Sequence, residues 1–445
     1  MRIKKIIKLM SVGMLVVIIL GFVGVFPVFS KSSEVTVLLQ MRSGPEATAM
    51  EPVVDYWNKH YAASTGIRVR QVTISRMGYY VKLFNQLVSG TQVPDIVFPF
   101  GFGIGKIIEY LEPLNSFIED ESLFSSPQGN RYDIKDMFPA MLKSVTLNGK
   151  IYMLATDVSA PLLYYRTDLI KTPPQTWDEF IEMAKKFTKS YNPDSPTEYG
   201  TVWMAKPVLD DTLCWLEIFW AYGGSFFKEG SYEPNFNSPA GIKATEFLKK
   251  LSDSKVIPPD VVTYEYPEVL AALQTGKVAF AIEWNAAYPD LTNPKKSPKV
   301  YDKIAITNPP GVKQADGSIK RVVETHCLGL SINKNSQYKR EAFKFMSWVT
   351  FGEGAKIYLD NGGIPPLFSL FTAPEAKSPL PEMAEAVGKY GRAIPVFKDQ
   401  MTVIFMNTKH LNKVFIGEET PEEAMENFNN EVYELFKERG YFEEK

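Results

Sequence analysis

Apolar and polar residues follow two different rhythms along this chain, and the switches between them predict its elements. Residues 35–39 form a short apolar run. Met50, Val53, Val54, Trp57 and Tyr61 then recur at helical spacing, and 68–74 returns to a strand-like pattern. Pro52 falls inside the helical stretch, where it has no N–H to donate, so it either starts the helix or kinks it. Residues 80–88 read as a second amphipathic helix and 95–98 as a third strand. Such alternation predicts a mostly parallel sheet with helices on both faces, and ligands then sit outside the carboxyl ends of the strands.

Residues 148–170 predict a crossing between two lobes. Asn148-Gly149 is a turn dipeptide, 150–155 reads as a strand, 156–161 as a polar break closed by Pro161, and 162–165 as a second strand. Asp157 and Ser159 between two apolar strands mark a hinge segment passing the back of a cleft. Beyond it the pattern is scaffold. Thr176 and Glu179 are spaced as a capping box ahead of the apolar face Phe180, Met183, Ala184 and Phe187. Ser238-Pro239 starts another helix, Ala342, Phe345, Met346 and Val349 form one stripe, and Thr420-Pro421 opens the last helix.

Length and composition narrow the class. A chain of 445 residues exceeds one compact core and predicts two lobes, and 45% hydrophobic with 22% charged residues is a globular composition. A net charge of −2 supplies no basic field for nucleic acid or anionic lipid. Cys214 and Cys327 imply neither a disulfide framework nor a cysteine metal site; buried free thiols are expected, with a bridge left open. His60, His326 and His410 lie far apart without His-x-x-x-His or Gly-x-Ser-x-Gly patterns, so no metal, cofactor or enzyme is expected. His326 beside Cys327 reads as a strand neighbour of 328–332. Arg2, Lys4, Lys5 and Lys8 precede an uncharged apolar run over 9–29, which is the layout of an export signal covering residues 1–30. Cleavage ahead of Lys31 is expected; an uncleaved anchor is the alternative, because the run approaches the ~20 residues that span a bilayer.

Candidate chemistry gathers in three places. After the third strand, Gly101, Gly103 and Gly105 invite a phosphate-loop reading. It fails, because the pattern wants glycine where Phe100 stands and Ser or Thr where Ile107 stands. The loop reads instead as an aromatic lip, with Phe98 in the core and Phe100 toward a ligand. Residues 199–227 hold Trp203, Asp210, Asp211, Trp215 and Trp220; Trp203 follows a strand-like stretch, where a cleft residue would sit. The apolar strand 278–282 ends in Glu283, Trp284 and Asn285, an acid, an aromatic and an amide at a strand's carboxyl end.

The order Asn-Gly-Lys-Ile-Tyr (148–152), Leu-Tyr-Tyr-Arg-Thr-Asp-Leu (163–169), Pro-Gln-Thr-Trp-Asp-Glu-Phe (174–180) and Leu-Gln-Thr-Gly-Lys-Val-Ala-Phe (273–280) resembles the family 1 extracellular solute-binding proteins of ABC transporters, the maltose-binding group. Asn-Gly-Gly-Ile-Pro-Pro (361–366) and Thr-Pro-Glu-Glu-Ala (420–424) fit the same series, so the resemblance runs from about residue 34 to the end. It implies the periplasmic binding protein type II fold: two α/β lobes with mostly parallel sheets, joined by hinge strands around a central cleft. Residues 34–151 and 286–347 would build the first lobe, 152–285 and 348–445 the second. By position, Ser159 falls where some relatives place a ligand-binding acid, with Asp157 on the same side; Phe405 falls near a stacking aromatic and Arg42 near polar contacts of the first lobe. The expected ligand-binding set is Arg42, Phe100, Asp157, Ser159, Trp203, Asp211, Glu283, Trp284, Asn285 and Phe405. Proline or phenylalanine stands where such relatives carry a first-lobe tryptophan, which leaves the ligand open.

The expected function is capture of a mono- or oligosaccharide outside the cytoplasm, periplasmic or at the outer face of the cytoplasmic membrane, by a monomer that delivers it to membrane permease subunits. The alternatives are a binder of phosphorylated polyols such as glycerol phosphate, which rests on Arg42, and an exported glycoside hydrolase using Asp157, Asp211 or Glu283.

Overall fold

The computed structural model describes residues 34–75, 78–124 and 133–442; the expected export signal lies outside them. The first part of the chain forms β1 (Val35–Arg42), α1 (Pro45–His60), β2 (Ile67–Ile74), α2 (Tyr79–Val88) and β3 (Ile96–Val97). After the hinge come β4 (Leu154–Ser159), β5 (Pro161–Arg166), α3 (Trp177–Lys186), α4 (Leu209–Ala221), α5 (Pro239–Asp253) and β6 (Phe280–Trp284). The remaining principal elements are β7 (Ile304–Thr307), β8 (Val323–Glu324), β9 (His326–Ile332), α6 (Lys339–Val349), α7 (Gly352–Asp360), β10 (Gly391–Arg392), α8 (Gln400–Ile416) and α9 (Pro421–Glu438).

The strand–helix alternation at the start closes into a five-stranded sheet of order β2-β1-β3-β9-β4. β1 is parallel to β2 from Val35 opposite Ile67 to Arg42 opposite Ile74, and parallel to β3. β9 runs antiparallel to both its neighbours, β3 and β4. Pro52 does not end α1, which runs through it and buries Met50, Val53, Val54 and Trp57. A second sheet, β6-β5-β7, is antiparallel throughout, with Leu162 opposite Glu283 and Tyr164 opposite Ile306. The parallel arrangement expected of the sheets therefore holds only for β2-β1-β3 of the first, whose β3-β9-β4 half is antiparallel. Residues 163–165 pair antiparallel with β6 on one side and with β7 on the other.

Two expected boundaries move with these pairings. β4, assigned by sequence to the second lobe, pairs inside the first sheet, and β7, assigned to the first lobe, pairs inside the second sheet. α7 packs against α1 and α6 rather than with the C-terminal helices, whereas α8 and α9 pack on α4 and α5. The expected polar break at 156–161 shrinks to Ala160: Asp157, Val158 and Ser159 stay in register with Leu328, Cys327 and His326.

Helix starts follow their sequence signals with one shift. Thr176 Oγ1 accepts from Glu179 N at 3.2 Å, but the Glu179 carboxylate accepts from Gln175 N rather than from the cap residue itself. At α9 the box is reciprocal, with Glu423 N donating to Thr420 Oγ1 at 3.2 Å and Thr420 N to Glu423 Oε2 at 2.9 Å. Thr420→Ala is expected to lower stability by about 1 kcal/mol, measured by denaturant unfolding, since the first-turn amide of Glu423 loses its acceptor.

Candidate functional site

The site is built where the chain passes from one sheet to the other. Ala160 alone separates β4 from β5, and Asn285 pins it. The amide oxygen of Asn285 accepts from Ala160 N at 2.9 Å, its amide nitrogen donates to Val158 O at 3.2 Å, and its backbone N–H donates to Ala160 O at 3.0 Å. Asn285, 1% exposed, thus spends its side chain on the hinge. The aromatic-lip expectation for Phe100 and the cluster expectation for Trp284 meet in one row of rings. Tyr80 stacks on Phe100 at 4.9 Å between centroids and Phe100 on Phe102 at 4.9 Å; Phe102 meets His326 at 4.7 Å and His326 meets Trp284 at 5.3 Å, both nearly perpendicular.

The row spans both sheets: Tyr80 lies in the first turn of α2, Phe100 and Phe102 follow β3, His326 opens β9 and Trp284 closes β6. Arg42, at the end of β1, lies with its guanidinium carbon 4.5 Å from the Phe100 centroid and pairs with Glu46 at 3.9 Å, while its Nε has no partner. Such a stacked cation adds roughly 0.5–2 kcal/mol according to its desolvation.

Carboxylates line the second-sheet side. Glu283 is fully buried; one oxygen accepts from Trp284 N at 2.7 Å and the other has no partner. Burial pushes its carboxyl well above the usual range, against the Trp284 N–H that lowers it, and Asp210 raises it further. Glu217 of α4 and Glu324 of β8 are equally buried, and Glu217 accepts from Glu324 N at 3.2 Å. Burial raises both, most strongly Glu217; His326, whose Nδ1 lies 3.0 Å from Glu324, pulls Glu324 back down.

Asp157, an expected ligand contact, has protein partners on both carboxylate oxygens. Its oxygens accept from Tyr358 Oη at 2.7 Å, Thr156 Oγ1 at 2.8 Å and Ile364 N at 3.0 Å, which ties β4 to the turn after α7. Three protein donors occupy the carboxylate, so Asp157 is a hinge clamp. Burial, with Glu46 adding repulsion, pushes it up to about 7. Ser159, half-buried, stands opposite His326 in the β4–β9 pair.

Trp203 and Asp211, expected at the cleft, serve each other: Trp203 Nε1 donates to Asp211 Oδ1 at 3.2 Å inside a cluster with Trp177, Phe180 and Phe247. Burial raises the Asp211 carboxyl well above its ordinary value, as expected for an acid among rings. Phe405 lies on α8 and is 44% exposed. Both cysteines are free and buried, Cys327 with its sulfur 3.3 Å from Ser144 Oγ.

Residues 43–356 match the family described as bacterial extracellular solute-binding protein. The chain belongs to that family. This solute-binding protein is 27% identical to a Sinorhizobium fredii protein named "Probable amino-acid ABC transporter periplasmic-binding protein", over 86% of each chain. It is 23% identical to the erythritol/L-threitol-binding protein of Mycolicibacterium smegmatis, over 75% of this chain and 70% of the relative. The maltose-bound protein of T. maritima has the same fold, with a TM-score of 0.75 over 90% of this chain and 99% of its own, at 23% identity. Two lobes of mixed α/β structure are therefore the architecture of this solute-binding protein.

Sequence reasoning missed Tyr80, Phe102, His326, Glu217 and Glu324. For Glu217 a signal existed, since it is the one acid in the run 213–221, which is otherwise apolar. His326 carried none, because its neighbours in sequence are those of any buried strand.

Proposed function

We propose that this protein is the extracytoplasmic binding component of an ABC importer, capturing a carbohydrate or polyol between two lobes and presenting it to membrane permease subunits. The first lobe would be residues 34–159 with 326–360, the second 161–323 with 391–442, and the protein would act as an exported monomer. The observation that carries the reading is the row of rings from Tyr80 to Trp284, flanked by the unpartnered Arg42 Nε, Glu283 Oε2 and Glu324 Oε1. Flat rings take the apolar faces of a sugar or polyol, and stranded donors and acceptors take its hydroxyls. Relatives named for erythritol and for maltose favour this ligand class. The relative named for amino acids sets the competing class.

Micromolar affinity needs about 8 kcal/mol, and one aromatic contact adds ~0.5–1.5 beyond its buried area. Contacts from both lobes must combine, and a ligand touching both favours the closed state by its differential affinity. A thermal-shift panel of sugars, polyols, glycerol phosphates and amino acids tests the class, because a ligand at 100 times its Kd adds ~2.7 kcal/mol of stability. Stabilisation by amino acids alone overturns the carbohydrate reading. Product formation on long incubation with oligosaccharides overturns the binding reading in favour of hydrolysis. For the carbohydrate identified, Trp284→Ala is expected to weaken binding at least tenfold by calorimetry, a loss of about 1.4 kcal/mol. Unchanged affinity removes Trp284 from the site.

A further inference from the structure

Gln400, the first residue of α8, belongs to the proposed second lobe but lies against the first. α8 itself is tied to α4: Thr212 Oγ1 donates to Ile404 O at 3.2 Å, and Thr408 Oγ1 donates to Val208 O, just ahead of α4, at 2.7 Å. At the start of α8, Gln400 Oε1 would stand 3.2 Å from a Cβ placed on Gly105, and Met401 Cγ 3.6 Å from one placed on Gly103. Both glycines lie in the short helix Gly101–Lys106, which follows Phe100 and carries Phe102. The Gln400 amide therefore borders the loop that supplies two rings of the row.

That side chain is 1% exposed, and among the described residues no group bonds either its Oε1 or its Nε2. A buried amide with donor and acceptor both unpaired is costly, and a molecule that bonds both atoms recovers the loss. Phe405, the α8 residue expected from sequence at the ligand, is 44% exposed, whereas Gln400 is on the buried side of the same helix.

We infer that Gln400 reads the hydroxyls of the ligand, holding a vicinal diol through both of its amide atoms. The inference rests on the carbohydrate or polyol reading and adds to it a residue and a rule of selection. An amide presents a donor and an acceptor side by side. In a vicinal diol one hydroxyl accepts from Nε2 while its neighbour donates to Oε1, and both atoms are satisfied. An ammonium group only donates and leaves Nε2 unpaired; an ionised carboxylate only accepts and leaves Oε1 unpaired. The side chain thus suits a neutral polyhydroxyl compound and disfavours an ionised one.

The test is Gln400→Met in the full chain, which keeps the length of the side chain and removes both amide atoms. Thermal unfolding without added compound is the first readout. No group of the protein loses a bond, so the variant is expected to unfold at or above the wild-type temperature. A lower temperature means that the amide serves the fold, and it overturns this inference alone. Calorimetry is the second readout, with erythritol, mannitol, glucose and maltose as neutral probes and alanine and inorganic phosphate as ionised ones. Each neutral probe that binds the wild type is expected to bind Gln400→Met about 10- to 100-fold more weakly, the loss of two neutral hydrogen bonds. Unchanged affinity overturns the role of Gln400 and leaves the carbohydrate reading in place. A wild type that binds none of the neutral probes overturns the carbohydrate reading, and this inference with it.

Discussion

Asp157→Asn is expected to reduce the fall in stability that the wild-type protein is expected to undergo as the pH rises from about 4 to about 7, by the share that this carboxyl contributes beside the other buried acids. The carboxyl is enclosed by β4, Tyr358 and the turn at Ile364, and Glu46 sits close enough to repel its charge. Its folded value of about 7 exceeds the ~3.9 of an unfolded aspartate. The folded state therefore holds a proton that the unfolded state releases. The sign follows: the stabilisation is complete below the unfolded value, declines as the pH rises, and is gone above the folded value. The full separation corresponds to on the order of 4 kcal/mol, large against a typical total of 5–15. Asparagine keeps an acceptor for Ile364 N and an amide that can meet the Tyr358 and Thr156 hydroxyls, so the clamp survives without the titration. Denaturant unfolding at several pH values checks this. Parallel pH profiles for variant and wild type would remove Asp157 as the source.

The same residue shows where sequence stops being informative. Thr156-Asp157 reads as a polar break because polar side chains are expensive to bury, yet each finds its partner 172 or more positions away, at Leu328, Tyr358 and Ile364. No local window contains that information. Elements whose stability is local were legible: the Thr420 cap, the apolar face of α1, and β1 with its parallel partner all follow from spacing within a few residues. Of the proposed site, Phe100 and Trp284 are legible as candidates from sequence as aromatics at a strand's carboxyl end, and the structure places both in the one row of rings. Trp203 meets the same criterion, but Trp177, Phe180 and Phe247 converge on it from other helices and Asp211 takes its N–H. His326 was passed over as a strand neighbour, and it is one. What no local window shows is that Phe102 and Trp284 reach it from opposite sheets.

Gly105→Ala is expected to weaken ligand binding roughly 10- to 100-fold while leaving the fold intact. The glycine loop fails as a phosphate loop, and close packing gives two of its glycines their reason. A Cβ on Gly101 would come within 3.3 Å of Cys327 and Ser144, and one on Gly105 would lie 2.1 Å from the carbonyl oxygen of Phe397. Gly105 belongs to the loop after β3, whereas Phe397 precedes α8 and packs among Phe226, Phe227 and Phe436, residues of the proposed second lobe. A backbone oxygen at that distance cannot turn aside as a side chain would, so the methyl must hold the two surfaces apart. Overpacking of this kind costs about 1–3 kcal/mol, charged against the approach of the lobes and not against either lobe alone. A ligand that needs that approach has to supply the difference, which is the expected loss in affinity. Gly103→Ala adds the same methyl beside Met401 at 3.6 Å, an ordinary contact, and is expected to bind as the wild type does. Calorimetry with the ligand from the panel, alongside thermal unfolding, separates the outcomes. Equal affinities for the two variants would mean that the Gly105–Phe397 contact is not part of the bound arrangement.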